Sequence, residues 1–251
     1  MLKTLMARVH QGRRTTTFPK GETPALPAQF RGLPKIDASK CPDGCRACAD
    51  ACPTDAISVN GSVKLDLGRC IFCSDCTTAC PEGAIEYTRD YRLATRDRDS
   101  LVLDGKTLEL ASELDARLRK LLGRSLKLRV VSAGDCNACS ADVNVLSAIS
   151  WDLSRFGIQY VASPRHADGL LITGPVTANM RLALIKTYEA IPEPKIVIAV
   201  GACAISGGLY ATHPEQNGGA ASVVPVDLYI PGCPPHPLTI LDGLLRLIGR
   251  L

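Results

Sequence analysis

Twelve cysteines are the residues in this chain whose type and spacing can do chemistry. Cys70, Cys73, Cys76 and Cys80, followed by Pro81, form C-x2-C-x2-C-x3-C-P, a run that holds iron–sulfur clusters. Its short steps let three thiolates close on one face of a cubane, and the x3 step directs the fourth cysteine away, to another cluster. A second run lies just upstream. Cys41, Cys45, Cys48 and Cys52 read C-x3-C-x2-C-x3-C, and the one extra residue falls in the loop Pro42-Asp43-Gly44. The spacing therefore assigns one [4Fe–4S] cluster to Cys41, Cys45, Cys48 and Cys80, and another to Cys70, Cys73, Cys76 and Cys52. Structural zinc is the alternative, but it pairs two C-x2-C knuckles across a longer loop. Four cysteines in close succession suit it poorly.

The elements around these runs repeat as well. CPDGCRACADACPTDAI (41–57) recurs as CIFCSDCTTACPEGAI (70–85), each copy ending in Cys-Pro, two residues, then Ala-Ile. Asn60-Gly61, between ISV and SVKLDL, reads as a hairpin turn. A unit of roughly 40–60 residues has little core, and metal usually holds it together.

The remaining cysteines, Cys136, Cys139, Cys203 and Cys233, are far apart in sequence. From 126 onward, runs at 126–132, 158–162, 169–173, 195–201 and 226–230 read as strands. Stretches at 142–156, 178–190 and 237–249 read as helices. Continuous apolar strands alternating with helices predict a doubly wound, flavodoxin-like α/β domain with a parallel sheet. All four cysteines then lie beyond carboxyl ends of strands, where open parallel sheets bind ligands. Gly134, Gly201, Gly207, Gly208 and Gly232 allow backbone close to a bulky group. Spacing alone leaves a cluster, a zinc ion and unliganded buried thiols all open here.

Residues 1–40 form a basic arm, eight Lys and Arg against Glu22 and Asp37, with Leu2, Leu5, Met6 and Val9 on one helical face. Such an end suits a membrane surface, a partner subunit or a frayed tail. The organisation expected is this arm, a small α+β ferredoxin-like dicluster domain (41–104), a helical connector (105–125) and the α/β domain (126–251). The connector helix is expected from Lys106, with Leu110, Leu114, Leu118 and Leu121 in one stripe and Gly123 as its C-cap. Charged residues are 22% and aromatics 4%, with a net charge of +4. Nothing in that balance suggests a nucleic-acid partner. No apolar run reaches the roughly 18 residues that cross a bilayer, and no secretory signal is visible. The cysteines then read as metal-binding thiols of a reducing compartment. No nucleophile–base pair, nucleotide loop or flavin motif stands out.

Residues 126–249 resemble the small, cluster-carrying subunit shared by respiratory complex I and the group 4 [NiFe] hydrogenases, including formate hydrogenlyase. The resemblance rests on GRSLKLRVVSAGDCNAC (123–139), RFGIQYVASPRHADGLLITGPVT (155–177), PEPKIVIAVGACAISGG (192–208) and VPVDLYIPGCPP (224–235). Residues 12–104 resemble the two-cluster ferredoxin subunit of the same complexes, through FRG (30–32), both cysteine runs and EGAIEYTRDYRLATRDRDSLV (82–102). The chain thus looks like two neighbouring subunits fused. The resemblance implies a third [4Fe–4S] cluster, the proximal one, on Cys136, Cys139, Cys203 and Cys233, and a candidate proton-coupling carboxylate at Asp142. It implies a peripheral place on the cytoplasmic side of a membrane. The implied partners are a large subunit with a nickel–iron or quinone site, membrane subunits, and an electron-donating subunit or ferredoxin. Ala138 and Ser140 depart from the Gly and Glu usual in hydrogenases, which keeps a nickel-free complex-I-like oxidoreductase as the alternative, beside a free-standing electron carrier. Arg165 is expected against the partner or donating towards the cluster, His166 in packing or a cap, and His236 at the surface.

Overall fold

The computed structural model describes residues 2–105, 107–122 and 124–251. Helix α1 (Leu2–Gln11) carries the expected apolar stripe, and all of it faces outward: Leu2, Leu5, Met6 and Val9 are each more than half exposed. An irregular arm leads to β1 (Pro34–Ile36), and the two cysteine runs follow as a repeated unit. The first copy supplies α2 (Ala47–Asp50) and β2 (Ile57–Val59), then β3 (Val63–Asp66). The second supplies α3 (Asp75–Ala79) and β4 (Ile85–Tyr87). Strands β2 and β3 pair antiparallel with Val59 opposite Val63, so Asn60-Gly61 lies in the hairpin loop as expected. Strand β1 pairs with β4, and β3 also pairs with β5 (Val102–Leu103).

The connector departs from the expected helix. Only α4 (Ala116–Leu122) is helical, opened by the Asp115 carboxylate, which accepts from the Arg117 and Leu118 amides. Residues 107–115 have no regular structure. Their backbone bonds elsewhere instead: Ala111 N–H donates to Ala94 C=O at 2.7 Å, and Leu114 N–H to Leu247 C=O at 2.9 Å. Leu108, Ala111 and Leu114 are buried in this extended strap. Of the expected stripe, Leu110 packs on one core and Leu114 and Leu118 on another, while Leu121 is exposed. The expected start at Lys106 and C-cap at Gly123 lie outside the described residues.

The second half is the α/β domain. It runs β6 (Leu126–Ser132), α5 (Ala138–Val145), β7 (Ile158–Tyr160), β8 (Gly169–Thr173), α6 (Ala178–Ala190), β9 (Ile196–Val200), α7 (Ala202–Ser206), β10 (Leu228–Ile230) and α8 (Pro237–Leu247). The strands form one parallel sheet in the order β7-β6-β8-β9-β10, the 2-1-3-4-5 arrangement of a doubly wound sheet. Every residue of β8 and β9 is buried, as apolar strands covered on both faces require. The helix expected over 142–156 is shorter. It ends at Val145, and Leu153–Phe156 is a separate 3-10 turn. The chain doubles back there, with Leu153 N–H on Leu146 C=O and Asp152 at φ +46°. That bend lets Leu146, Leu153 and Phe156 all reach the core.

The two halves share their interior. One cluster of buried side chains contains Leu65, Leu67 and Leu101 from the first half and Leu170, Ile172 and Ala199 from the second. Thr95 pairs antiparallel with Tyr229 through two backbone bonds of 3.0 and 2.8 Å, beside β10. Ser206 Oγ donates to Gly68 C=O at 2.9 Å. Among the described residues, no helix is long and apolar enough to cross a membrane.

Candidate iron–sulfur sites

The repeat closes two thiol-lined cavities, and each draws its cysteines from both copies. Cys41, Cys45 and Cys48 line the first with Cys80, and Cys70, Cys73 and Cys76 line the second with Cys52. The shared Cys-Pro-x-x-Ala ending has a local cause. Ala56 N–H donates to Cys52 Sγ at 3.3 Å, and Ala84 N–H donates to Cys80 Sγ at 3.2 Å. In each copy the chain turns after the proline so that the fourth amide meets the sulfur. Ile57 and Ile85, next in line, are buried and start the strands. Phe72 N–H also donates to Cys70 Sγ at 3.3 Å, from a residue at φ +55°.

The third group forms at the carboxyl ends of strands. Cys136 and Cys139 follow β6, Cys203 lies on α7 directly after β9, and Cys233 follows β10. Cys139 is buried, whereas Cys136 and Cys233 are exposed. Burial, then the charges of Cys203, Cys233 and Cys136, push the Cys139 thiol far up. Burial, then Cys233 and Cys136, push Cys203 up to about 11. Cys203, Cys233 and Cys136 all stand close enough to act on Cys139, so the four form one site, and cationic iron or a similar metal would hold such thiols as thiolates. The backbone leaves room for it. Gly201 sits at φ +92°, and a methyl group there would stand 2.5 Å from Cys139 Sγ; at Gly208, φ +55°, it would stand 2.8 Å from Cys203 Sγ. Sulfur donors with glycine pressed against them fit a [4Fe–4S] cluster. Among the described residues, no three or more His, Cys, Asp or Glu side chains stand where they would hold a single metal ion.

The second and third groups adjoin. Cys233 is raised by burial, then by Cys136, then by Cys73 of the second group. Phe72 and Cys233 line one cavity of about 350 Å³ together with Arg31, Leu93, Asp142 and His236. Arg31 donates to the Phe72 carbonyl, pinning the loop between Cys70 and Cys73. Asp142, singled out from sequence, opens on this cavity, and burial pushes its carboxyl up. Ser140 is buried, its Oγ donating to Asp135 at 2.6 Å and lying 3.1 Å from Thr173 Oγ1.

Arg165 and His166 lie exposed in the turn Pro164–His166, which precedes β8. That turn leads into the amino end of β8, whereas the cysteines follow carboxyl ends of strands. His236 is a half-buried helix cap rather than a surface residue. Its Nδ1 accepts from Leu238 N–H at 3.1 Å, and its ring packs edge-on against Phe30 and Trp151. Tyr87 was missed. Its hydroxyl lies 3.4 Å from Cys70 Sγ and 3.9 Å from Cys76 Sγ, and the sequence signal for it is its place two residues after Ala-Ile in the second copy.

Comparison with known proteins agrees with this anatomy. The 4Fe-4S dicluster domain matches residues 40–84, and the NADH ubiquinone oxidoreductase 20 Kd subunit matches residues 136–247. The chain is 45% identical over 139 residues to the probable membrane-bound hydrogenase subunit mbhJ of Pyrococcus furiosus, across 54% of this chain and 81% of that protein. It is 40% identical over 159 residues to formate hydrogenlyase subunit 7 of Escherichia coli, across 63% and 62%. It is 51% identical over 114 residues to an NADH-quinone oxidoreductase subunit of Citrifermentans bemidjiense, across 45% and 66%. Among solved structures it resembles a chain of the membrane-bound sulfane sulfur reductase, an archaeal respiratory membrane complex, at 35% identity and a TM-score of 0.47, covering 54% of this chain and 75% of that one. The chain belongs to the family of the NADH ubiquinone oxidoreductase 20 Kd subunit, and joins to it, in one polypeptide, a 4Fe-4S dicluster domain.

Proposed function

We propose that this chain is the electron-relay subunit of a membrane-associated complex of the group 4 [NiFe] hydrogenase and complex I type. It would hold three [4Fe–4S] clusters, on Cys41, Cys45, Cys48 and Cys80, on Cys52, Cys70, Cys73 and Cys76, and on Cys136, Cys139, Cys203 and Cys233. The observation that carries this reading is the cavity that Phe72, in the loop between Cys70 and Cys73, lines together with Cys233, which joins the dicluster half to the α/β half. When bound, such clusters supply one-electron carriers, and all-cysteine ligation suits low potentials. The chain's own part is to hold and orient them. The N–H groups of Ala56, Phe72 and Ala84 fix sulfurs in place, buried Cys48, Cys70, Cys76 and Cys139 keep water away, and Arg31 ties the joining loop.

The exposed side of the third group suits a large subunit. Cys136 and Cys233 are exposed there, and Leu209 and Tyr210, shortly after Cys203, are 54% and 49% exposed. A free carrier has no use for such an apolar rim. Asp142, beside Cys233, is the group that would hold or release a proton there. The basic face of α1 suits a peripheral place at the membrane, with membrane subunits as further partners and an electron-donating subunit or ferredoxin at the first cysteine group. Ser140 favours a second reading, a nickel-free complex-I-like oxidoreductase, because position 140 carries a hydroxyl, engaged with Asp135, in place of an acidic side chain.

The test is metal content of the complex, drawn out through a tag on this chain without oxygen. About twelve irons per chain, from three four-iron clusters, together with nickel, is the expected result. The same iron without nickel moves the assignment to the nickel-free reading. Recovery of this chain alone, with no large subunit, would overturn both.

A further inference from the structure

The two copies of the repeat treat their last cysteines alike through the backbone, Ala56 and Ala84 N–H each donating to a sulfur, and differ in their side chains. Aligning Cys52–Val59 with Cys80–Tyr87 sets Thr54 opposite Glu82 and Val59 opposite Tyr87. Both hydroxyls fall on one site. Tyr87 Oη lies 3.4 Å from Cys70 Sγ and 3.9 Å from Cys76 Sγ, and Thr54 Oγ1 lies 3.8 Å from Cys52 Sγ. The cavity of the other group is lined, besides its cysteines, by Pro42, Ala47, Val63, Pro81, Ala84 and Ile85, with no side-chain hydroxyl. Phe72 packs against the Tyr87 ring at 5.9 Å between centroids and holds it over the sulfurs. A ligating sulfur is a thiolate and can only accept, so the phenol must donate. Donors to cluster sulfurs favour the more negative, reduced state and raise the potential.

We propose that Tyr87, seconded by Thr54, sets the cluster on Cys52, Cys70, Cys73 and Cys76 at a higher potential than the cluster on Cys41, Cys45, Cys48 and Cys80. The proposal rests on the ligand assignment above. It makes the second site the better acceptor of a matched pair, and that site is the one beside Cys233. The transfer it biases is simple: the first cluster loses one electron and the second gains it. No proton moves, because the phenol donates its hydrogen bond in both states. Tyr87 is thus a positioning residue that acts through Cys70 and Cys76.

The experiment is a redox titration of the intact complex, followed by electron paramagnetic resonance. Cys52→Ser identifies the signal of the second cluster by altering it. Tyr87→Phe should then lower the midpoint of that cluster alone, by about tenfold in its reduction equilibrium or ~59 mV for one electron. Thr54→Val, which leaves the aromatic packing intact, should lower the same midpoint by less. No shift in either variant, or equal shifts at two clusters, overturns the proposal. The ligand assignment fails separately, and visibly in the unmodified protein: clearly fewer than about eight irons per chain, too few for two four-iron clusters, would sink it, and this proposal with it.

Discussion

At Gly201 a hydrogen stands where any other residue would put a methyl group against Cys139 Sγ. Both the contact and φ +92° forbid a side chain. Gly201→Ala should therefore cost the third cluster alone. Iron and acid-labile sulfide should fall by about four atoms each per chain, with the other two clusters' magnetic signals unchanged. An unaltered iron content would show that the backbone yields there. At this scale the sequence was legible wherever a residue acts by covalent chemistry. The cysteine runs and their repeat are read directly from spacing. Tyr87 is not, because its nearness to Cys70 and Cys76 depends on the pairing of β1 with β4, with Tyr87 opposite Pro34. His236 was misread for a similar reason, since only the approach of Phe30 and Trp151 covers it.

Arg98 and Asp66 join the end of β3 to the turn before β5. The guanidinium meets both carboxylate oxygens, at 2.9 and 2.7 Å, and Asp66 also accepts from Gly68 N–H at 2.8 Å. Both side chains are partly buried. Arg98→Met would leave that carboxylate half-covered with one donor, a loss of about 1–3 kcal/mol. The melting temperature of the cluster-loaded chain should fall by about 2–4 °C for each kcal/mol at this chain length. An unchanged melt would mean that solvent screens the pair fully. Among whole elements, the parallel strands were legible because β8 and β9 are apolar on both faces, which few alternatives accommodate. The connector was not. Its leucines repeat every three or four residues, yet Ala111 and Leu114 find backbone partners in Ala94 and Leu247, contacts that no local pattern announces.

Across the molecule, the shared core and the Thr95–Tyr229 pairing make two family modules into one body. A protease site introduced after Gly105, which is exposed, should cut the chain without parting it. The two fragments should co-elute on gel filtration and keep their brown colour. Fragments that separate would show that the strap over 107–115 is the principal tie. The Thr95 segment carries one more consequence. The last strand of an open sheet offers unpaired N–H and C=O groups to any strand it meets, and so invites aggregation. Here the Thr95 segment lies along part of that margin and occupies the backbone groups of Tyr229. The amino-terminal half thus caps a border that the α/β sheet would otherwise leave sticky.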